Sequence, residues 1–259
     1  MMRFCNLGSG SGGNASLVEA SQGITHTQLL VDCGFSLREL TRRLQRAGSS
    51  PELLNGIFIT HEHGDHIGCA LKLSEKYKIP LWTSRGTWRS IAQPDFPKAL
   101  LHFLSDGEEI SLGDMSLQAF AVPHDAHEPL HLRCSDGARH LGLITDLGHA
   151  STRVIQALQA CHALLLEFNH DEDLLRASNY PASLKRRILG SHGHLSNTAA
   201  GELLRQCLHP GLRHVVGAHL SERNNRPELA AQTLAKVLNI ETHEALLCHQ
   251  QSGHPWLSV

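Results

Sequence analysis

The chain has no apolar run approaching the roughly 18 residues that a membrane-spanning helix needs, which excludes helical membrane insertion. A charge excess is missing too. With 23 Lys and Arg against 25 Asp and Glu, the formal net charge is −2. Nothing in that balance holds nucleic acid without specificity, so a polyanionic substrate has to be gripped locally. The seven cysteines, at 5, 33, 69, 134, 161, 207 and 248, contain no CxxC pair. An odd, scattered set gives neither a zinc-finger spacing nor a disulfide framework and suits reduced thiols. The opening Met1-Met2-Arg3-Phe4-Cys5-Asn6 has no charged region followed by a long apolar core, and the expectation is a cytoplasmic protein. No repeat or linker interrupts residues 1–259, which read as a single domain.

Histidine, by contrast, is abundant: 20 residues, nearly as many as Lys and Arg together. The periodicity around these residues is mixed. Short apolar segments at 2–7, 15–20 and 28–31, parted by Gly-rich turns, read as strands, as do 56–60, 80–83, 116–122, 141–144, 163–168, 214–217 and 245–248. Helices are predicted over 36–47, 66–77, 151–160, 196–208 and 227–237, and a β-meander over about 101–143. Many strands with helices interspersed, without strict βαβ alternation, point to an αββα sandwich of two mixed sheets, an α+β fold, with a TIM barrel as the second choice.

Thr60-His61-Glu62-His63-Gly64-Asp65-His66 places three imidazoles and a carboxylate on a turn between a strand and a helix. His61 and His63, two apart on extended backbone, can point the same way, while Asp65 and His66 at the helix start face another, so the turn can feed two metals. Three further strands end abruptly in a polar group, at His124, Asp146 and His219, where sheet-borne sites carry function on the loops. Imidazole and carboxylate donors without thiolate suit Zn, Mn or Fe.

The pattern His61, His63, Asp65, His66 resembles the HxHxDH signature of the metallo-β-lactamase superfamily. The resemblance implies two divalent metal ions, one at His61, His63 and His124, the other at Asp65, His66 and His219, with Asp146 bridging and Asp32 supporting the ligands from behind. Two such ions, roughly 3.5–4 Å apart, lower the pKa of a bridging water and neutralise the group under attack. That is hydrolytic chemistry. The order of His170, Gly193-His194-Leu195-Ser196-Asn197 and His219-Leu220-Ser221-Glu222-Arg223-Asn224-Asn225, with Gly8-Ser9-Gly10-Ser11-Gly12-Gly13-Asn14, is similar to the YycJ/WalJ-like, exonuclease-like group, related to tRNase Z-type phosphodiesterases. The match implies a phosphodiesterase acting on nucleic acid, in which hydroxide attacks phosphorus in line.

Phosphodiester hydrolysis also needs a proton donor for the leaving oxygen, and His194 and His170 are the candidates, while Asp65, with Asp146, is expected to position the metals and the hydroxide. Asn14, Arg223, Asn225 and Lys185 are candidates for substrate contact, with Lys185-Arg186-Arg187 either meeting phosphates or forming a solvated helix face. Ser196 reads as a helix N-cap, the Gly8–Gly13 loop as a tight hairpin, and His127 and His131 as surface residues. Two other functions share the same donors: hydrolysis of a small cyclic phosphodiester or, as in glyoxalase II, of a thioester, and metal binding without turnover.

Overall fold

The computed structural model describes residues 1–259 apart from Ala92 and Pro94. Strands β1 (Met2–Gly8), β2 (Ala15–Ser21), β3 (His26–Val31), β4 (Gly56–Phe58), β5 (Leu81–Thr83) and β6 (Leu101–Phe103) lie side by side in chain order in one sheet. A second sheet follows in the same way, from β7 (Glu109–Leu112), β8 (Met115–Ala121), β9 (Leu130–Ser135) and β10 (His140–Ile144) to β11 (Ala163–Glu167), β12 (His214–Ala218) and β13 (Leu246–Leu247). The chain then returns as β14 (His254–Ser258), antiparallel to β1, so each sheet has seven strands. The predicted meander is therefore divided: β6 pairs in parallel with β5 in the first sheet, and only β7 to β10 belong to the second.

Facing side chains of the two sheets form the central core, with Met2, Phe4, Val18, Leu29 and Phe58 packed against Leu117, Leu132, Leu143, Leu165 and Val216. Full burial of such a side chain stabilises by about 1.5–3 kcal/mol. Helices α1 (Leu37–Arg46), α2 (Gly64–Ile67), α3 (Ala70–Tyr77) and α4 (Arg85–Ile91) accompany the first sheet, whose outer face buries Leu30, Ile57, Leu40, Leu44 and Leu73. The second sheet carries α5 (Thr152–Leu158), α6 (Glu172–Ala177), α7 (Ala182–Ile188), α8 (Asn197–Cys207) and α9 (Pro227–Leu238), with Val154, Leu203 and Leu234 buried against Leu164 and Val215. This is the expected αββα sandwich. Among the described residues no helix is long and apolar enough to cross a membrane.

Local signals explain most boundaries. Ser36 caps α1 by accepting from the Glu39 N–H, and Ser196 caps α8 by accepting from Ala199, as the sequence suggested. One predicted helix is broken: Gly68, at φ 30°, ends α2 before α3 begins. Its carbonyl-rich surroundings leave no room for a side chain. Gly34 is equally confined, because a Cβ there would collide with the Asp65 carbonyl and Asn14 N. Overpacking of this kind costs about 1–3 kcal/mol. Gly34→Ala is therefore expected to lower the melting temperature by roughly 5 °C, given about 2–4 °C per kcal/mol at this chain length. Thermal unfolding checks this, and an unchanged midpoint would show that the loop yields freely.

Candidate metal centre

Strands β10, β11 and β12 are parallel, and β8 runs the same way because both it and β10 are antiparallel to β9, so all four end at one edge. His124 lies just past β8, Asp146 just past β10, Glu167 closes β11 and His219 follows β12. The first sheet delivers Asp32 directly after β3 and His61 shortly after β4. Asp32, Asp146 and His219 take left-handed backbone, at φ 62°, 56° and 55°. Such a residue costs about 1–3 kcal/mol and persists only where its surroundings hold it. Here they do: Thr60 N–H donates to Asp32 at 2.9 Å, His219 N–H to Ser9 Oγ at 2.9 Å, and Asn169 Nδ2 to the His219 carbonyl at 3.0 Å.

Hydrogen bonds on the far nitrogen of three rings aim the near nitrogen inward. His61 Nδ1 meets Thr60 Oγ1 at 2.9 Å, and that hydroxyl donates to Asp32 at 3.0 Å. His66 Nδ1 donates to Asp32 Oδ2 at 2.8 Å, and His124 Nδ1 to the Gly193 carbonyl at 3.1 Å. Such partners fix a ligating imidazole's tautomer and orientation. Asp32 thus holds one ring directly and another through Thr60. The near atoms gather as His61, His63 and His124, as Asp65, His66 and His219, as His61, His66 and Asp146, and as Asp146, Glu167, His194 and His219, so that Asp146 belongs with the rings of both triads and also with the Glu167–His194 pair.

Donor chemistry and burial both fit divalent cations. Every group is imidazole nitrogen or carboxylate oxygen. His61 Nε2, Asp146 Oδ2 and His219 Nδ1 are buried without a hydrogen-bond partner among the described residues. Asp146 Oδ2 does lie 2.8 Å from His66 Nε2 and 3.0 Å from His219 Nδ1, but neither approach satisfies the geometry of a hydrogen bond to that oxygen. Unpaired buried groups are costly, and a cation in this space would satisfy all three. Burial, reinforced by the neighbouring His66 ring, drives the His61 pKa well down and keeps its lone pair free. Burial also lowers that of His124. For His66 the burial penalty is outweighed by Asp146 and Asp32, which hold a proton on the ring until a cation displaces it.

His194 stands beside this cluster with its Nδ1 2.8 Å from Glu167 Oε1 and 3.4 Å from Asp146 Oδ1. Burial opposes its protonation, yet the charges of Glu167 and Asp146 prevail and push its pKa up to about 9. Glu167 was not singled out from the sequence. It is fully buried, and its Oε2 accepts from the Leu147 and Leu195 N–H groups at 2.9 and 3.0 Å. The available signal was a carboxylate closing Ala163-Leu164-Leu165-Leu166-Glu167, a strand buried throughout.

Several expected roles are not met. His170 is 1% exposed, lies outside every donor group and has no partner at either ring nitrogen among the described residues, and burial lowers its pKa, which favours the neutral ring over the imidazolium that a strong proton donor needs. Lys185 spends its ammonium on the Arg176 carbonyl at 2.6 Å, at the end of α6. Asn225 is buried and ties Phe168, Asn169 and Asn197 together. Asn14 does face the cluster, with Nδ2 3.1 Å from His66 Nε2, while its Oδ1 accepts from Ser9 and Gly10 and so braces the loop. Arg223 is exposed on the loop after His219. His127 is exposed, as expected, and bonds Glu62, whereas His131 is buried inside β9, where burial pushes its pKa down to about 3.

Residues 27–219 match the family described as the beta-lactamase superfamily domain. The chain belongs to the metallo-β-lactamase superfamily. Within it, the chain is 35% identical over 239 residues to the exodeoxyribonuclease YycJ of Bacillus anthracis, covering 92% of this chain and 89% of that protein. Identity to the exodeoxyribonuclease WalJ of Streptococcus pneumoniae is 34% over 240 residues, 91% of this chain and 88% of the other. The metallo-β-lactamase fold protein YhfI of Bacillus subtilis superposes with a TM-score of 0.73 over 99% of this chain and 98% of its own, at 16% identity, and so shares the fold. This superfamily member is accordingly a metal-dependent hydrolase of the YycJ/WalJ-like group.

Proposed function

We propose that the enzyme is a binuclear phosphodiesterase acting on nucleic acid from an end. One observation carries this: the Glu167–His194 pair stands beside two donor triads with Asp146 among them, which would set a proton donor next to a pair of cations held there. The names of the relatives support the substrate class. The proposed ligands are His61, His63 and His124 for one ion, Asp65, His66 and His219 for the other, and Asp146 between them, with Zn, Mn or Fe as the fitting ions. Bound there, two cations would activate a water and neutralise phosphoryl oxygens.

The chain's own residues supply the rest. Asp32 and Thr60 keep His61 and His66 in register, and Asp146 offsets the positive charge. In hydrolysis, water adds to phosphorus as the ester P–O bond breaks; His194 gives its proton to the departing oxygen and regains one from the water. Glu167 holds the imidazolium for that transfer. A panel of bis-p-nitrophenyl phosphate, single-stranded DNA, RNA and a thioester tests the reading. Cleavage of the phosphodiesters with stepwise shortening of DNA is expected, and hydrolysis of the thioester alone would overturn it.

A further inference from the structure

Next to His194 lies a cleft of about 190 Å³, lined among others by Ser11, Asn169, Tyr180, Arg187 and Asn224. It is somewhat larger than the roughly 150 Å³ cavity that holds one benzene ring. That volume suits one ring system. The segment Glu172–Ile188, which carries α6 and α7, supplies Tyr180, Leu184, Arg187 and Ile188 to its wall. Opposite in character is Asn224: 1% exposed, with Oδ1 buried and without a partner among the described residues, although its backbone is tied by the Ser221 hydroxyl and the Asp171 N–H.

A buried amide oxygen with nothing to accept from calls for a donor that enters with the ligand. Nucleobases carry such donors on their edges and present flat faces to aromatic rings. Tyr180 is partly exposed at the same cleft. Arg187 donates Nε to Asp125, which orients the guanidinium plane while its side chain stays 58% exposed. Its remaining donors can meet a phosphate.

We propose that this cleft is the subsite for the terminal nucleobase of the substrate strand, with Tyr180 as the stacking face and Asn224 as the group that reads the base edge. The inference rests on the nucleic-acid reading above and adds to it a reason for end-wise action. A cleft of single-base volume beside the proton donor and walled in part by α7 would hold the terminal base next to the bond that is cut.

Oligodeoxynucleotides with an abasic sugar at the 5′ end, at the 3′ end or at neither test this with Mn²⁺-loaded wild type, Tyr180→Ala and Tyr180→Phe. Wild type should lose at least about tenfold in kcat/KM when the base is missing at one end. Tyr180→Ala should shrink that preference to less than about threefold, and Tyr180→Phe should restore it. Asn224→Ala should level the differences among the four terminal bases. Indifference of wild type to the missing base, or an undiminished preference in Tyr180→Ala, overturns the proposal. Binding of dAMP, followed by calorimetry, separates this from the parent reading. If no oligonucleotide is cut, dAMP binding that is lost in Tyr180→Ala keeps the base subsite and discards the nuclease, whereas equal binding by both proteins, or none, discards the subsite.

Discussion

Asp146→Asn should lower kcat on a phosphodiester by about a thousandfold, equivalent to roughly 4 kcal/mol at 1.36 kcal/mol per decade, while the far-ultraviolet circular dichroism stays that of the wild type. The size follows from position. Asp146 approaches His66 at 2.8 Å, His219 at 3.0 Å, His194 at 3.4 Å and His124 at 3.9 Å. Burial resists its ionisation, but the His219 and His66 charges hold the carboxyl well below its usual range, so it is an anion in the cluster. The isosteric amide removes the charge that both donor triads share and leaves four imidazoles facing one another. Metal content per chain should fall with kcat. Activity within tenfold of wild type, at full metal content, would mean that the two triads work without it.

The second large effect concerns Glu167 and His194. A positioned general acid contributes about 10²–10⁴-fold, so His194→Ala should cost that much in kcat. Because the two residues act as a unit, the double variant with Glu167→Gln should be little worse than His194→Ala alone. The pH dependence gives the sign. A raised pKa means that the proton stays on His194 as pH rises through neutrality and is lost above about 9 in the metal-free protein. Activity that needs this proton therefore falls on the alkaline side. Nearby divalent cations oppose protonation and bring that limb below its metal-free position. Glu167→Gln should carry it further down, toward the roughly 6.5 of an ordinary imidazole. Superimposable pH–rate profiles for wild type and Glu167→Gln would remove the pair from the mechanism.

The parts of this site that were legible are those written within a few residues. His61, His63, Asp65 and His66 share one turn, and strand-end placement marked His124, Asp146 and His219, because a strand that stops in a polar residue exposes it at a sheet edge. The sheets were legible for a related reason, since buried strands show as short apolar runs between turn signals. Roles that depend on distant partners were hidden. Glu167 looks like the exposed end of a Leu-rich strand, and only the Leu147 and Leu195 N–H groups and His194 reveal a buried acceptor. Lys185 resembled a phosphate contact within Lys185-Arg186-Arg187, yet the cluster is divided between a helix-end carbonyl and the Asp125 carboxylate. His170 and His194 look alike as isolated histidines. What separates them is that only His194 has a carboxylate within hydrogen-bond reach. The helices α4 and α6 and the returning strand β14 escaped because each is short and carries too few apolar residues to mark a buried face.

Anomalous scattering from crystals grown with Mn²⁺ tests the central claim most directly. Two peaks per chain are predicted, one at about 2.0–2.2 Å from a nitrogen of each of His61, His63 and His124, the other among Asp65, His66 and His219, with Asp146 reaching both. A single peak, or density at neither triad, would contradict the account.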